Sequence, residues 1–316
     1  MSYLKFNNGD RISQVGLGTW KSEENKVGEA VKHALKTGYT HIDCAAIYGN
    51  EAEIGEALTD IFKNSDIKRD DIFITSKLWN NAHRKEDVIP ALKQTLSDLQ
   101  LDYLDLYLMH WPVAFKSGLY GFPESNDDFL SLDEVPLIET WEAMVEAKNQ
   151  GLVKHIGVSN FSIKKLEDLM NKSDTAPEMN QIELHPYLQQ EEMLNFCNKH
   201  QILITAYSPL GSQDRTPEMK ANDEPTLLDN QMVNTIAEKH KVTAAQVLIN
   251  FHVSRGCITI PKSVTPSRIE QNLSSLEFQL EQSDLNQLKE LDKHYRYVNG
   301  KFFETSDGKY HNIYDE

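Results

Sequence analysis

Short apolar runs alternate with longer segments of helical period along the whole chain. Strands are predicted at Gln14 to Gly18, His41 to Asp43, Asp71 to Lys77, Tyr103 to His110, Lys154 to Ser159, Met179 to Glu183, Ile202 to Ser208 and Cys257 to Lys262. Between them fall helices at Asn25 to Thr37, Glu51 to Phe62, Glu86 to Leu99, Leu137 to Gln150, Ile163 to Met170 and Glu191 to Lys199. A pair at Asp229 to His240 and Ala244 to Val253 and a last helix at Pro266 to Leu273 complete the series. Val27, Ala30, Val31, Ala34 and Leu35 share one face of the first helix, and Val88, Leu92, Leu96 and Leu99 one face of the third. Eight strand-helix units are the pattern of parallel strands joined by helical crossovers, and eight such units close into a (β/α)8 barrel. No linker or composition break divides residues 1–316, so a single domain is expected. Long loops follow the fourth and seventh strands, Trp111 to Glu134 and Pro209 to Thr226, and a polar and aromatic tail, Phe302 to Glu316, is expected with them around the active-site mouth.

In this fold, functional side chains stand at the C-terminal ends of the strands. Those positions hold Asp43, Lys77, His110, Ser159 with Asn160, Gln181 with Glu183, Tyr207 with Ser208, and Lys262. Barrel cores are filled by branched apolar residues, so polar side chains recurring at one end of nearly every strand point to a site. The stretch Gly38 to Gly55, GYTHIDCAAIYGNEAEIG, places Asp43 and Tyr48 just after a strand, with Asn50 and Glu53 resembling a helix cap. A phenol of reference pKa about 10 needs help to exchange a proton near neutrality. Lys77 supplies a charge that favours the phenolate, Asp43 holds Lys77 charged, and His110 orients or donates to a substrate oxygen.

Composition narrows what this centre serves. With 40% hydrophobic and 25% charged residues the chain has the makings of a globular core. A net charge of −16 opposes nucleic acid and anionic lipid, so an anionic ligand requires a local basic patch. Cys44, Cys197 and Cys257 are widely spaced and odd in number, which fits neither a disulfide framework nor a zinc site; no other motif suggests a metal. The absence of a secretory signal or an apolar run of membrane length leads to an expectation of cytoplasmic localisation. Without a metal, the difficult step falls to hydrogen bonds or to an organic cofactor.

Taken together the motifs resemble the aldo-keto reductases, and within them the aldose and aldehyde reductase group, over almost the whole chain. GYTHIDCAAIYGNEAEIG resembles the first family signature, ITSKLW the lysine strand, LYLMHWP the histidine strand, GVSNF and QIELHPY the middle strands, and IPKSVTPSRIEQN the C-terminal cofactor motif. The resemblance implies a tetrad of Asp43, Tyr48, Lys77 and His110, with Tyr48 donating a proton to the carbonyl and a nicotinamide giving hydride. It implies that Ser159, Asn160 and Gln181 hold the carboxamide, that Tyr207 stacks on the nicotinamide ring, and that Thr19, Trp20 and Asp43 lie along that half. Ser208, Leu210 and Ser212 would line the pyrophosphate belt, Lys262, Ser263 and Arg268 would bind a 2′-phosphate, and Asn272 would lie beside the adenine. Trp20, Tyr48, Trp79, His110, Trp111 and Phe122 would form the substrate pocket. Thr40 departs from a common Arg, and Gln271 from a Glu that helps to clamp the adenine.

The resulting expectation is an NADPH-dependent reductase of aldehydes, aldoses and some ketones, with NADH serving less efficiently, acting as a monomer on small carbonyl compounds without nucleic acid or membrane partners. Two other readings stay open on the residues: a redox-sensing subunit with little turnover, and an aldolase-like barrel using Lys77 as a Schiff base. A Rossmann fingerprint is not supported, since Gly16 and Gly18 are followed by Lys21 at the third position. Tyr297 and Lys301 have short-chain-dehydrogenase spacing but lie in the C-terminal region, without that fold.

Overall fold

A computed structural model of the chain describes residues 2–119, 121–213, 215–216 and 220–316. Part of the long segment after the seventh predicted strand therefore lies outside the described residues. Eight parallel strands form one sheet, hydrogen-bonded in chain order, and the fold class is the (β/α)8 barrel. The chain falls into two compact units, Met1–Ile42 with Gln181–Val298, and Asp43–Asn180 with Asn299–Glu316.

The first unit opens with an antiparallel hairpin of β1 (Tyr3–Lys5) and β2 (Arg11–Ser13), which the alternating pattern did not predict. Strand β3 (Leu17–Gly18) and helix α1 (Val27–Thr37) follow, and the predicted apolar face of α1 is buried. Strand β4 (His41–Asp43) leads out of this unit. The first predicted strand is longer than the observed β3, but its length survives as isolated parallel bridges, Val15 with Thr259 and Gly18 with Lys262. Gly18 is required there, because a Cβ would lie 2.6 Å from the carbonyl oxygen of Ile260.

The second unit contains α2 (Glu51–Asn64), β5 (Phe73–Leu78), α3 (Lys85–Leu99) and β6 (Leu104–Met109). A small hairpin, β7 (Ala114–Phe115) with β8 (Phe129–Leu130), stands in the long loop before α4 (Leu137–Asn149), β9 (Val153–Ser159) and α5 (Ile163–Lys172). Every residue of β5 and β6 is buried, as expected of parallel strands covered on both faces. Lys77 pairs in register with Leu108, so these two strands end nearly level. Asn50 precedes α2 as predicted, yet makes no side-chain cap; Ala46–Tyr48 instead coil into a single 3₁₀ turn ahead of it.

Strand β10 (Met179–Glu183) returns to the first unit, which continues with α6 (Glu191–Lys199), β11 (Leu203–Tyr207), α7 (Gln231–His240), α8 (Ala244–Ser254), β12 (Ile258–Thr259), α9 (Pro266–Leu273) and α10 (Gln282–Lys289). Helix starts here carry their own signals. Asn230 caps α7, Thr243 and Gln246 form a reciprocal capping box on α8, and α9 opens on Pro266.

Candidate active site

Asp43, Lys77, His110, Ser159 and Asn160 end or directly follow β4, β5, β6 and β9, all within the second unit. Tyr48 reaches them from the 3₁₀ turn that follows β4. The Lys77 ammonium spends its donors on three oxygens: Asp43 Oδ1 at 2.5 Å, the Cys44 carbonyl at 2.8 Å and Tyr48 Oη at 3.4 Å. Burial alone would push this ammonium down, but the Asp43 carboxylate and then Tyr48 reverse the sign, and its pKa is raised.

The phenol behaves differently from the sequence expectation. Lys77 does lower its pKa, but burial outweighs that help and Asp43 adds to it, so Tyr48 is pushed up to about 12 and stays protonated. A protonated phenol beside an ammonium is a proton donor awaiting a base. His110 is buried, and burial, followed by the charge of Lys77 and the nearby His83, drives its pKa well below the ordinary value. It is therefore a neutral imidazole at neutral pH, suited to orienting an oxygen rather than protonating it. Its Nδ1 has no hydrogen-bond partner among the described residues, and its backbone carbonyl accepts from Asn160 Nδ2 at 2.9 Å. The Asn160 backbone stands at φ 63°, an uncommon left-handed conformation.

Aromatic rings frame the same residues. His110 lies 5.9 Å from the Tyr48 ring and 5.3 Å from Trp79. Trp79 meets Phe122 at 5.5 Å, and Trp111 meets Phe303 at 5.0 Å, Phe302 at 5.7 Å and Tyr314 at 6.2 Å. Phe122 and Phe302 are exposed, at 52% and 40%. The tail that supplies Phe302, Phe303 and Tyr314 is pinned down: Tyr310 Oη accepts from Ala114 N at 2.8 Å and donates to the Leu130 carbonyl at 2.7 Å. Further on, Asp315 accepts from Ser162 Oγ and Lys165 Nζ. The tail expected near the mouth thus contributes ring surface that its sequence alone did not assign.

The remaining candidates belong to the first unit. Thr19 is buried and Trp20 half-buried just after β3, with the Lys21 ammonium 4.9 Å from the Trp20 ring centre. Gln181 is buried in β10, and Tyr207 ends β11. Ser208 and Ser212 flank Leu210, share a hydrogen bond of 2.6 Å between hydroxyls, and both adopt left-handed backbone, at φ 52° and 47°. Glu183, grouped with these by position, is a structural carboxylate: it accepts from Tyr297 N at 2.6 Å, Val298 N at 2.7 Å and His185 Nε2 at 2.8 Å.

Lys262 and Ser263 follow β12, and Arg268 and Asn272 lie on α9. Ser263 Oγ accepts from Thr265 N at 3.1 Å beside the opening turn of that helix. Arg268 is exposed and forms no ion pair among the described residues, in a chain of net charge −16. An unneutralised guanidinium at a helix N-terminus with a lysine and a serine suits a phosphate monoester.

Two buried groups escaped the sequence reading. His83 is held at about 3 by burial, with both ring nitrogens unpartnered among the described residues. Glu51 looks from sequence like an ordinary acid of a helix's first turn, yet it is only 5% exposed. A signal existed in Thr95, a polar residue on the otherwise apolar face of α3, which is Glu51's partner.

The model of the aldo/keto reductase family matches residues 13–293. An aldo/keto reductase of Synechocystis sp. is 50% identical, the match covering 100% of this chain and 97% of the relative. Human aldo-keto reductase family 1 member A1 is 46% identical, covering 98% of this chain and 94% of the relative. The solved aldose reductase of Schistosoma japonicum superposes with a TM-score of 0.89 at 41% identity, covering 99% of this chain and 98% of that one. The chain belongs to the aldo/keto reductase family. It is an enzyme of the oxidoreductase class, and its family works on carbonyl compounds with a nicotinamide cofactor.

Proposed function

We propose that the protein reduces aldehydes and aldoses, and some ketones, to alcohols with NADPH. The observation that carries this reading is the chain from buried Asp43 Oδ1 through buried Lys77 Nζ to the half-buried Tyr48 Oη, at 2.5 and 3.4 Å, ending on a phenol that keeps its proton. When bound, the reduced nicotinamide supplies a hydride equivalent. Tyr48 donates the proton that the developing alkoxide needs, and Lys77 stabilises the phenolate left behind. Asp43 holds Lys77 charged, and neutral His110 orients the carbonyl oxygen. Ser159, Asn160 and Gln181 offer the amide and hydroxyl groups to hold a carboxamide, and Tyr207 a ring to stack on it. Thr19 and Trp20 serve the same half, and Ser208, Leu210 and Ser212 the pyrophosphate. Lys262, Ser263 and Arg268 meet the 2′-phosphate, with Asn272 beside the adenine, which favours NADPH over NADH.

The Schiff-base alternative needs a neutral amine, and Lys77 is held as a charged one. The rings of Trp79, Trp111 and Phe122, all in the second unit, offer broad apolar faces near His110 and Phe303, which suits a range of medium-sized aldehydes. We also infer one domain, acting as a cytosolic monomer: the family match runs unbroken through residues 13–293, and among the described residues no helix is long and apolar enough to cross a membrane. Sedimentation of the purified protein checks the monomer.

The decisive experiment is Tyr48→Phe assayed against a panel of aldehydes. Loss of a general acid lowers kcat by about 10²–10⁴ while NADPH affinity, measured by fluorescence titration, survives. Retention of more than about a tenth of kcat with intact NADPH binding transfers the proton-donor role elsewhere.

A further inference from the structure

Behind Lys77, on the side of β5 opposite the phenol, lies a second buried acid. Glu51 is the first residue of α2, three residues after Tyr48. Its Oε1 accepts from Ser76 Oγ at 2.5 Å, and its Oε2 from Thr95 Oγ1 at 3.0 Å. Ser76 immediately precedes Lys77, and alternation along a strand sends the two side chains to opposite faces. One carboxyl therefore ties the turn that carries Tyr48 to the strand that carries Lys77, with α3 as the backstop. A first-turn acid would ordinarily sit in solvent and serve the helix dipole.

We propose that Glu51 is a positioning residue of the reductase centre, bracing the Tyr48 turn against the Lys77 strand, and that its charge sets a pH-dependent limit on how readily Tyr48 gives up its proton. The proposal rests on the reading of Tyr48 as the proton donor. The groups facing Glu51 are few. Lys77 from β5 and Asp98 from α3 act on it by charge, Ser76 and Thr95 by hydrogen bonds, and Tyr107 of β6 feels its charge in turn. Tyr107 pairs in register with Ser76, and its buried hydroxyl has no hydrogen-bond partner among the described residues. The carboxyl is pushed up to about 7, chiefly by burial, against the hydrogen bonds from Ser76 and Thr95.

The sign follows from charge alone. Ionised Glu51 offsets part of the positive potential that Lys77 places on the phenol, which makes Tyr48 hold its proton more firmly. As pH falls through about 7 Glu51 takes up a proton, the offset disappears, and Tyr48 becomes the stronger acid. Carbonyl reduction should therefore quicken toward acid pH, by roughly three- to tenfold, the scale of one partly screened charge acting across a strand.

The test is the single-turnover rate of NADPH oxidation by an aldehyde, followed from pH 5.5 to 9 in the full-length protein, so that product release does not mask the chemical step. Wild type should show one inflection near 7. Glu51→Gln keeps an acceptor for Ser76 but cannot ionise, so its profile should lose that inflection and stay at the fast level. Ser76→Ala keeps the acid but removes a hydrogen bond that favours its charged form, so the inflection should move to higher pH. A brace without an electrostatic role moves neither profile. An unchanged inflection in Glu51→Gln, no inflection in wild type, or an unmoved one in Ser76→Ala overturns the proposal. Tyr48→Phe run beside them separates the two claims: a wild-type rate there fails the proton-donor reading, whereas a collapsed rate with unmoved Glu51 and Ser76 profiles fails this one alone.

Discussion

Replacing Lys77 by Met is the sharpest test of how the centre is held together. Methionine fills a similar volume, but the ammonium that donates to Asp43, Cys44 and Tyr48 is gone. Asp43 is 1% exposed, so it is left as a buried carboxylate without its counter-ion. Removing one partner of such a pair costs about 3–5 kcal/mol, most of it the penalty of the stranded charge. Urea denaturation at pH 7.5, followed by circular dichroism, should show a loss of that size. Lys77→Met with Asp43→Asn should recover much of the loss, since a neutral pair no longer strands a charge. Both variants should have little reductase activity, because Lys77 no longer lowers the Tyr48 pKa. A single variant less than about 1 kcal/mol below wild type, or a double variant no more stable than the single, would refute the buried-pair account.

Three other outcomes are expected. Arg268→Ala should raise the KM for NADPH by about tenfold and leave that for NADH nearly unchanged, as a charge-assisted bond to the extra phosphate requires; steady-state kinetics with both cofactors decides it. Tyr310→Phe leaves Ala114 N and the Leu130 carbonyl without their partner, so it should cost about 1–3 kcal/mol in denaturant melts and, on the proposed function, alter kcat/KM most for bulky aromatic aldehydes. For Glu183, burial alone would raise the pKa, but the hydrogen bond and charge from His185, then Arg296 and Tyr297 N–H, lower it from its ordinary value. Its stabilisation is present above the unfolded carboxylate pKa and is lost as pH falls through the depressed folded value, so Glu183→Gln should be less stable at neutral pH and show a flatter acid limb in unfolding titrations.

The strand-helix alternation made the barrel legible because both periods were strong, and it put Asp43, Lys77 and His110 at strand ends, where the fold confines chemistry; the tetrad as a unit came from the family resemblance. The roles given to the cofactor residues came from family resemblance, since Ser208 or Asn272 alone carries no chemical signature. What stayed hidden has physical causes. The β1–β2 hairpin consists of two three-residue strands that leave β1 outside the core, too short for alternation, although Asn8 and Gly9 mark its turn. Helix α10 buries only Asp284 and Leu288, so its apolar stripe is faint. The turn carrying Tyr48 is 3₁₀, whose tighter pitch leaves no 3.6-residue signature. Glu51 could not be told from a solvated helix-start acid, because its burial depends on partners 25 and 44 residues away.

The left-handed serines carry a consequence for anyone breeding a hardier form of this enzyme. Ser208 and Ser212 hold backbone conformations that glycine adopts without penalty, while their hydroxyls are spent on each other. A selection for heat resistance alone is drawn toward glycine at both positions, and each such gain would delete a hydroxyl from the proposed pyrophosphate belt. Libraries screened for surviving turnover after heating, rather than for surviving fold, would keep the serines and show that the strain is retained for use.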